Sequence, residues 1–305
     1  MSRLLIKRGW QGLVVLVWAL TAVFFLVRLT GDPTLLYVPE NSTQEEIKSL
    51  RHAFGFDQPL WVQYGRFVSA AAQGDFGASL RYDQPALPMV LDRLPATAEL
   101  AVATLAIIVV IALPLGVLAA TRRNSWWDTG SMVAAMMGQS IPSYWLGIML
   151  ILLFAVRFGW LPAAGKIGGL SVILPAVTLS AYSTARLARV VRSEMLDTLG
   201  REFIRTAHSK GLSRIRVLVK HAVRNALIPV VTLLGLETGF LLGGAIIVET
   251  VFAWPGIGSL VIQAVNNRDY PVVQADAFLM AAIFVLANLS IDLLYGVLDP
   301  QVRFD

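Results

Sequence analysis

The stretch Gly200–Thr232 reads GREFIRTAHSKGLSRIRVLVKHAVRNALIPVVT, a basic, helix-forming segment between two apolar ones. From Arg186 to Arg224 there are ten Lys/Arg against three Asp/Glu, while the whole chain has a formal charge of only +5. Positive charge gathered between two membrane spans marks a cytoplasmic face. Its inner pattern is helix, glycine, helix. Residues Asp197 to Lys210 can form a short helix ended by Gly211, the residue type that takes a left-handed cap without steric cost. Ser213 can cap a second helix, on which Leu212, Ile215, Val219, Ala222, Val223 and Ala226 form one apolar stripe. Arg216, Lys220 and Arg224 make a basic row at i, i+4 and i+8, with Arg214, His221 and Asn225 beyond it. Pro229 fits the first turn of the span that follows.

Composition places this loop in a membrane protein. The 305 residues are 56% hydrophobic and 15% charged, with mean hydropathy +0.66, whereas a soluble domain carries about a quarter charged residues. A sequence pI near 9.7 could suggest nucleic acid. The basic residues flank apolar runs, however, and a hairpin tethered at both ends to spans is poorly placed to read DNA. Topology and anionic lipid account for the charge more simply. There is no cysteine, hence no disulfide framework, thiolate metal site or thiol nucleophile.

Leu13 to Val27 is almost unbroken apolar sequence after Arg3, Lys7 and Arg8. A cleaved signal peptide would show a small-x-small site there, but Arg28 and then Gly31-Asp32-Pro33 follow. Further spans are expected at about 97–120, 131–156, 171–190, 229–251 and 275–298. The fourth is interrupted by Ser180, Tyr182, Ser183, Thr184 and Arg186, which a helix facing protein or a water-filled path tolerates. The expected fold is therefore an all-α integral membrane protein of about six transmembrane helices. With the N-terminus inside, cytoplasmic segments hold 16 of the 25 Lys/Arg, against three outside apart from the long outer loop. The organisation expected is a tail and first span (1–28), an extracytoplasmic loop with short helices (29–96) and a five-span core (97–305) that carries the basic loop 191–228.

In the outer loop Ser42–Glu45 fits a capping box, Ile47, Leu50 and Phe54 share a face, and Gly55 can close the helix. Leu60, Tyr64, Phe67, Val68 and Ala71 make a second amphipathic face, and Gly74-Asp75-Phe76-Gly77 reads as a turn. The loop suits a cap packed on the membrane surface, a docking platform for an external partner, or both.

Catalytic chemistry is missing. There is no phosphate-binding loop; Gly165-Lys166-Ile167 lacks both the preceding glycine and the hydroxyl residue. His52, His208 and His221 share no local metal-ligand spacing. Glu99, Glu249 and Asp276 read as helix-end carboxylates near an interface, while Glu237 and Asp292 lie deeper in spans. No metal, cofactor or catalytic residue is expected in this chain. Any energy source beyond an ion gradient must come from another chain.

Taken on these residues alone, the basic loop is either a lipid-facing hairpin or a docking element. The segment Arg205–Ser213 (RTAHSKGLS), followed by His221–Pro229 (HAVRNALIP), resembles the coupling loop of ABC-importer permeases of the dipeptide/oligopeptide/nickel family. The resemblance runs nearly the whole chain: RLTGDP at 28–33, GDFGASL at 74–80, ETVFAWPGIG at 249–258, RDYPVVQ at 268–274 and DLLYGVLDP at 292–300. The general permease pattern is E-A-A-x-x-x-G; here Arg205 replaces Glu and Thr206 the first Ala, and Pro229 comes about five residues late. A Glu-specific contact therefore does not carry over. The resemblance implies that Arg205, Thr206, Ala207, His208, Ser209, Lys210, Gly211 and Leu212 contact a cytoplasmic ATPase. It also implies a second, homologous permease, two ATPase domains that bind ATP and Mg, an extracytoplasmic binding protein, and a bacterial inner membrane with both termini cytoplasmic. Selectivity would rest largely with the binding protein, so peptides, glutathione, opines, nickel chelates and sugars all stand as cargo. The alternative is a stand-alone, ion-coupled carrier with an essential buried carboxylate.

Other polar positions are expected in supporting roles. Gln139, Ser140, Pro142, Ser143 and Glu237 are candidates for a pore lining, while Gly239, Gly243 and Gly244 suit close helix packing. Phe252 and Trp254 read as members of an interfacial aromatic belt, beside an irregular turn at Pro255, Gly256 and Gly258.

Overall fold

A computed structural model describes residues 2–38 and 42–298, and their side chains apart from those of 2–5, 7, 35, 228, 232, 236, 238, 240, 242 and 291–298. The side chain of Asp292 thus lies outside the described residues. Every regular element among them is helical: α1 (Ser2–Leu29), α2 (Gln44–Ala53), α3 (Leu60–Ala71), α4 (Ala86–Thr121), α5 (Trp126–Ser140), α6 (Ser143–Leu150), α7 (Ile173–Leu199), α8 (Glu202–Ser209), α9 (Arg214–Arg216), α10 (Arg224–Val251), α11 (Ile257–Asn266) and α12 (Tyr270–Leu298). Turns of π-helix extend α6 over Ile151–Arg157 and join α9 to α10 over Val217–Val223. Four helices are long and apolar enough to cross a bilayer, and six do so when each of two bent pairs counts as one span. The described residues divide into two compact units, 2–97 with 255–286, and 98–254 with 287–298.

In the first unit the outer helices are built onto α1. Phe24 stacks on Phe67 at 5.3 Å and meets Tyr64 edge-on at 5.1 Å. The Arg28 guanidinium lies 3.4 Å from the Phe24 ring centroid and donates to Gln63 Oε1. Phe76, Ala86, Val90, Ile257, Leu260 and Tyr270 close the core beneath. Gly12 is a point of close approach, since a Cβ there would lie 2.6 Å from Val285 Cγ1 on α12. Asp269 ties the loop before α4 to the α11–α12 turn by accepting from Ser79 Oγ at 2.5 Å and Leu80 N at 3.1 Å. Nearby, Tyr37 donates its hydroxyl to the Asn267 carbonyl, and burial followed by the Asp269 charge pushes its phenol up to about 12. It therefore stays a neutral donor at working pH.

Several outer-loop expectations shift. The capping box exists, but one residue later, with Thr43 as cap and Glu46 as its reciprocal partner. Tyr64, Phe67 and Ala71 face inward as the spacing predicts, whereas Leu60 and Val68 are exposed. Gly55, Gly74 and Gly77 all take positive φ in the turns expected of them. The irregular stretch after α10 starts a short apolar helix, α11, that periodicity did not reveal. Its first N–H, on Ile257, is satisfied by Thr97 Oγ1 at 2.9 Å because Gly256 has no side chain to cap it.

The second unit is organised around α7. Over half of its apolar window (56%) is buried, against 17–28% for the other three single-helix spans, although its hydropathy of 1.2 is the lowest. Of the polar interruptions, Ser180 and Ser183 are buried in protein and so face neighbours rather than lipid, whereas Tyr182 is exposed. Gly116 lets α4 approach: a Cβ there would sit 2.6 Å from Val191 Cβ and 2.7 Å from the Ala188 carbonyl. Gly147 and Gly244 fill the same role against Phe252 and Leu179.

Here too the boundaries move. α7 continues to Leu199, so the short helix begins at Glu202 rather than Asp197. The expected third span is broken by 102° between Ser140 and Ser143, where Pro142 offers no N–H and holds an extended ψ of 134°. Pro229 lies inside α10 at a 46° bend, not at a helix start. The apolar stripe fails because π-helical turns over Val217–Val223 change its period. Val217, Ala222 and Ala226 are buried, whereas Ile215 and Val219 are exposed. Phe252 and Trp254 are buried in protein rather than exposed as belt residues would be; Glu249 and Asp276 lie near helix ends as expected and are buried as well.

Candidate functional site

α8 is a two-turn helix about 12 Å long, set directly after α7 by the turn at Gly200 and Arg201. Ile204 and Ala207 are its buried residues, whereas Arg205, Thr206, His208, Ser209, Lys210 and Gly211 are exposed and Leu212 is half-buried. Its C-terminus closes in a Schellman motif. Gly211 N–H donates to the His208 carbonyl at 2.9 Å and Leu212 N–H to that of Ala207 at 3.4 Å, with Gly211 at φ +75°. Thr206 and Ser209 hydroxyls donate back to the Glu202 and Arg205 carbonyls. The polar surface is thus folded onto the helix itself, leaving Arg205 and Lys210 as exposed cations. Ser213 stands at the N-cap of α9 without a side-chain capping bond.

Behind α8, three arginines at i, i+3 and i+6 on α7 each reach a different partner. Arg186 pairs with Glu237 Oε1 of α10 at 3.2 Å, and Ser183 Oγ donates to Glu237 Oε2 at 2.5 Å. Arg189 donates to Gln139 Oε1 of α5 at 2.5 Å. Arg192 grips Asp128 at the start of α5 with two bonds, 2.6 and 2.8 Å, and the Asn124 N–H also donates to that carboxylate. Bidentate guanidinium–carboxylate geometry fixes orientation as well as charge. In the sequence Arg189 and Arg192 contribute only to the charge count, while Arg186 also stands out as an interruption of the fourth span. A three-residue spacing of Arg beside Ser183 was the signal available for a buried polar seam.

The break between α5 and α6 opens a cavity of about 450 Å³, whose wall includes Gln139, Ser140, Pro142, Ser143, Thr178, Tyr182 and Gly243. Gln139, Ser140 and Ser143 are therefore brought together as expected, joined by Thr178, Tyr182 and Gly243, which were not singled out for it. Among the described residues no charged side chain lines the wall. Glu237 does not reach it, being 2% exposed and held between Arg186 and Ser183. Gly244 serves close packing as expected, whereas Gly243 has no atom within 4 Å of a built Cβ and opens to the cavity. Among the described residues there is no group of His, Asp or Glu arranged to hold a metal.

Comparison with known proteins agrees with this arrangement. Residues 112–304 match the family described as binding-protein-dependent transport system inner membrane component, and residues 1–101 match the N-terminal region of such components. A putative peptide transport system permease protein of Brucella abortus is 40% identical over 314 residues, all of both chains. A glutathione transport system permease protein of Escherichia coli is 40% identical over 295 residues, 96% of each. Among solved structures, the MetNI methionine ABC transporter in an inward-facing conformation covers 69% of this chain with TM-score 0.55 at 19% identity. An amino acid ABC transporter covers 70% with TM-score 0.52 at 17% identity. At that identity the likeness is one of fold.

Proposed function

Since this chain belongs to the binding-protein-dependent transport inner membrane family, and is a permease subunit of an ABC importer without an ATPase site of its own, we propose that 191–228 is its coupling loop. Arg205–Leu212 docks in a cleft of a cytoplasmic ATPase, and two such ATPase domains bind and hydrolyse ATP with Mg. The other half of the pore is a homologous permease, and substrate arrives on an extracytoplasmic binding protein at the 29–96 side. Both termini are cytoplasmic in the bacterial inner membrane. The parts then divide as first span (1–28), outer loop (29–96) and permease core (97–305). The cargo is a peptide or similar small solute, in keeping with relatives named for peptide and glutathione transport.

The observation that carries this reading is the Schellman-closed helix α8, exposed along its polar face, packed on the π-helical segment and joined to the end of α7 by a two-residue turn. A short rigid helix transmits a push without absorbing it. Because α7 is pinned to α5 through Arg189 and Arg192 and to α10 through Arg186, displacement of α8 moves a connected set of helices. Closure of the ATPases thereby biases the pore between inward- and outward-open states. Gln139, Ser140 and Ser143 line this subunit's share of the path, where an uncharged wall suits solutes of varied charge. Glu237 acts as an internal pin.

The chain has no cysteine, so single Cys substitutions at Thr206, Ser209 and Leu212 give clean crosslinking probes in the assembled complex. Crosslinks to the ATPase are expected from these sites and none from Cys at Ser49. The reverse pattern would defeat both the docking assignment and the orientation.

A further inference from the structure

Beside α8 lies a second cavity, of about 570 Å³ and open to one side, bordered by the end of α4, the end of α7, α8, α9 and the π-helical segment before α10. Its polar side carries Arg122, His208 and Arg214, and among the described residues no carboxylate lines it. Among the described residues neither guanidinium has a carboxylate partner; Arg122 only overlies the Trp127 ring at 5.3 Å. The opposite side is apolar, formed by Leu199, Ile204, Ile215 and Leu218. Ile215 is 75% exposed, and Trp126 and Trp127, just beyond the end of α4, are 92% and 58% exposed. Thr121 ends an apolar span, and exposed tryptophans beside a span end settle where a bilayer passes from hydrocarbon to water.

We infer that this cavity is a binding site for an anionic phospholipid, its phosphate between Arg122 and Arg214 and its upper acyl chain against Leu199, Ile215 and Leu218. The shared chemistry is that of a phosphate anion, but a soluble phosphate would leave the apolar side wet and most of the volume unfilled. A lipid satisfies both sides, because burying the exposed apolar surface adds to the charge attraction. The occupant would prop α8 from behind, against Ile204, while Arg205, Thr206 and Ser209 stay free for the ATPase. Coupling strength then becomes dependent on the anionic content of the inner leaflet. The site rests on the cytoplasmic placing of 191–228 proposed above.

The test is a lipid titration of the assembled, delipidated complex in detergent, read by thermal stability and by native mass spectrometry. Phosphatidylglycerol is expected to raise the unfolding midpoint saturably and to remain bound, while phosphatidylcholine and inorganic phosphate do neither. In Arg122→Gln/Arg214→Gln the apparent affinity for phosphatidylglycerol should fall about thirtyfold, the effect of two juxtamembrane charges. Should that pair not assemble, each single variant, expected to be about fivefold weaker, takes its place. An equal response to phosphatidylcholine or to inorganic phosphate overturns the inference, as does unchanged affinity in the variants. A reporter at Ser209 that reads the outer side would sink the topology instead, a result the titration does not depend on.

Discussion

Replacing Arg192 with Met tests whether the arginine seam of α7 holds the second unit together. Arg192 is 26% exposed and its partner Asp128 only 6%, with two bonds of 2.6 and 2.8 Å between them. Methionine keeps the length and apolar stem but leaves the Asp128 carboxylate with the Asn124 N–H and only the unbonded charge of Arg123 nearby. Breaking a buried pair from one side costs about 3–5 kcal/mol. The partial exposure of Arg192 puts this case at the lower end, about 3 kcal/mol, which lowers a thermal midpoint by roughly 6–12 °C. Replacing both partners is far milder, because no charge is stranded: Asp128→Leu/Arg192→Met should lose about 1 kcal/mol, chiefly the bond to Asn124. Asp128→Leu alone loses the same bond to Asn124, about 1 kcal/mol, so the double-mutant cycle, read from thermal inactivation of the purified complex, should give a coupling of about 3 kcal/mol. Arg192→Met within about 1 kcal/mol of the parent, or a double variant as weak as the two single losses added, would refute a buried, mutually dependent pair.

Three further outcomes follow from the geometry. Gly211→Pro removes the N–H given to the His208 carbonyl and replaces φ +75° by about −65°; ATP-driven uptake into proteoliposomes should be lost, whereas Gly211→Asn keeps most of it, and normal uptake in the proline variant would show that the turn does not couple. Gly116→Val drives a side chain into the Ala188 carbonyl and should cost about 1–3 kcal/mol or more; Gly130→Ala, with nothing within 4 Å, should instead gain up to about 1 kcal/mol, and similar midpoints for both would contradict the close approach of α4 to α7. Glu237→Gln keeps an acceptor for Ser183 and loses only the charge facing Arg186, so uptake at constant ATP should persist in that variant and survive an uncoupler; abolition in both cases would favour an ion-coupled carrier.

What the sequence made legible were features with a local cause. Apolar run length located the spans, and the glycine at 211 announced a left-handed cap that the structure contains. The family was legible through motifs spread from RLTGDP to DLLYGVLDP. What stayed hidden depends on contacts between distant segments. Trp254 and Phe252 look interfacial by type, yet tertiary packing buries them fully. α11 escaped notice because its first N–H is capped by Thr97, 160 residues away. The π-helical turns defeat a stripe counted at 3.6 residues, since a local change of period leaves no mark in composition. At Pro142 the break was readable in principle, but an apolar run on both sides masked it.

The arginines of α7 show how one residue type can serve two kinds of evidence. In the sequence, Arg186, Arg189 and Arg192 count toward the positive charge that supports a cytoplasmic loop. In the fold they are partners of Glu237, Gln139 and Asp128, spent inside the protein rather than facing anionic lipid. Removing them from the tally leaves thirteen of the sixteen inner Lys/Arg against three outside the long loop. The bias that supports the orientation therefore survives the reassignment. The same arginines explain why the least hydrophobic single-helix span is the most buried: each carries a polar bond to a neighbouring helix that hydrocarbon could not supply. A helix bound this way to α5 and α10 has little freedom to slide past either. On the proposed docking of α8, motion delivered there would pass through α7 as movement of the group, and the seam is where mutations far from both ATPase and cargo should alter coupling.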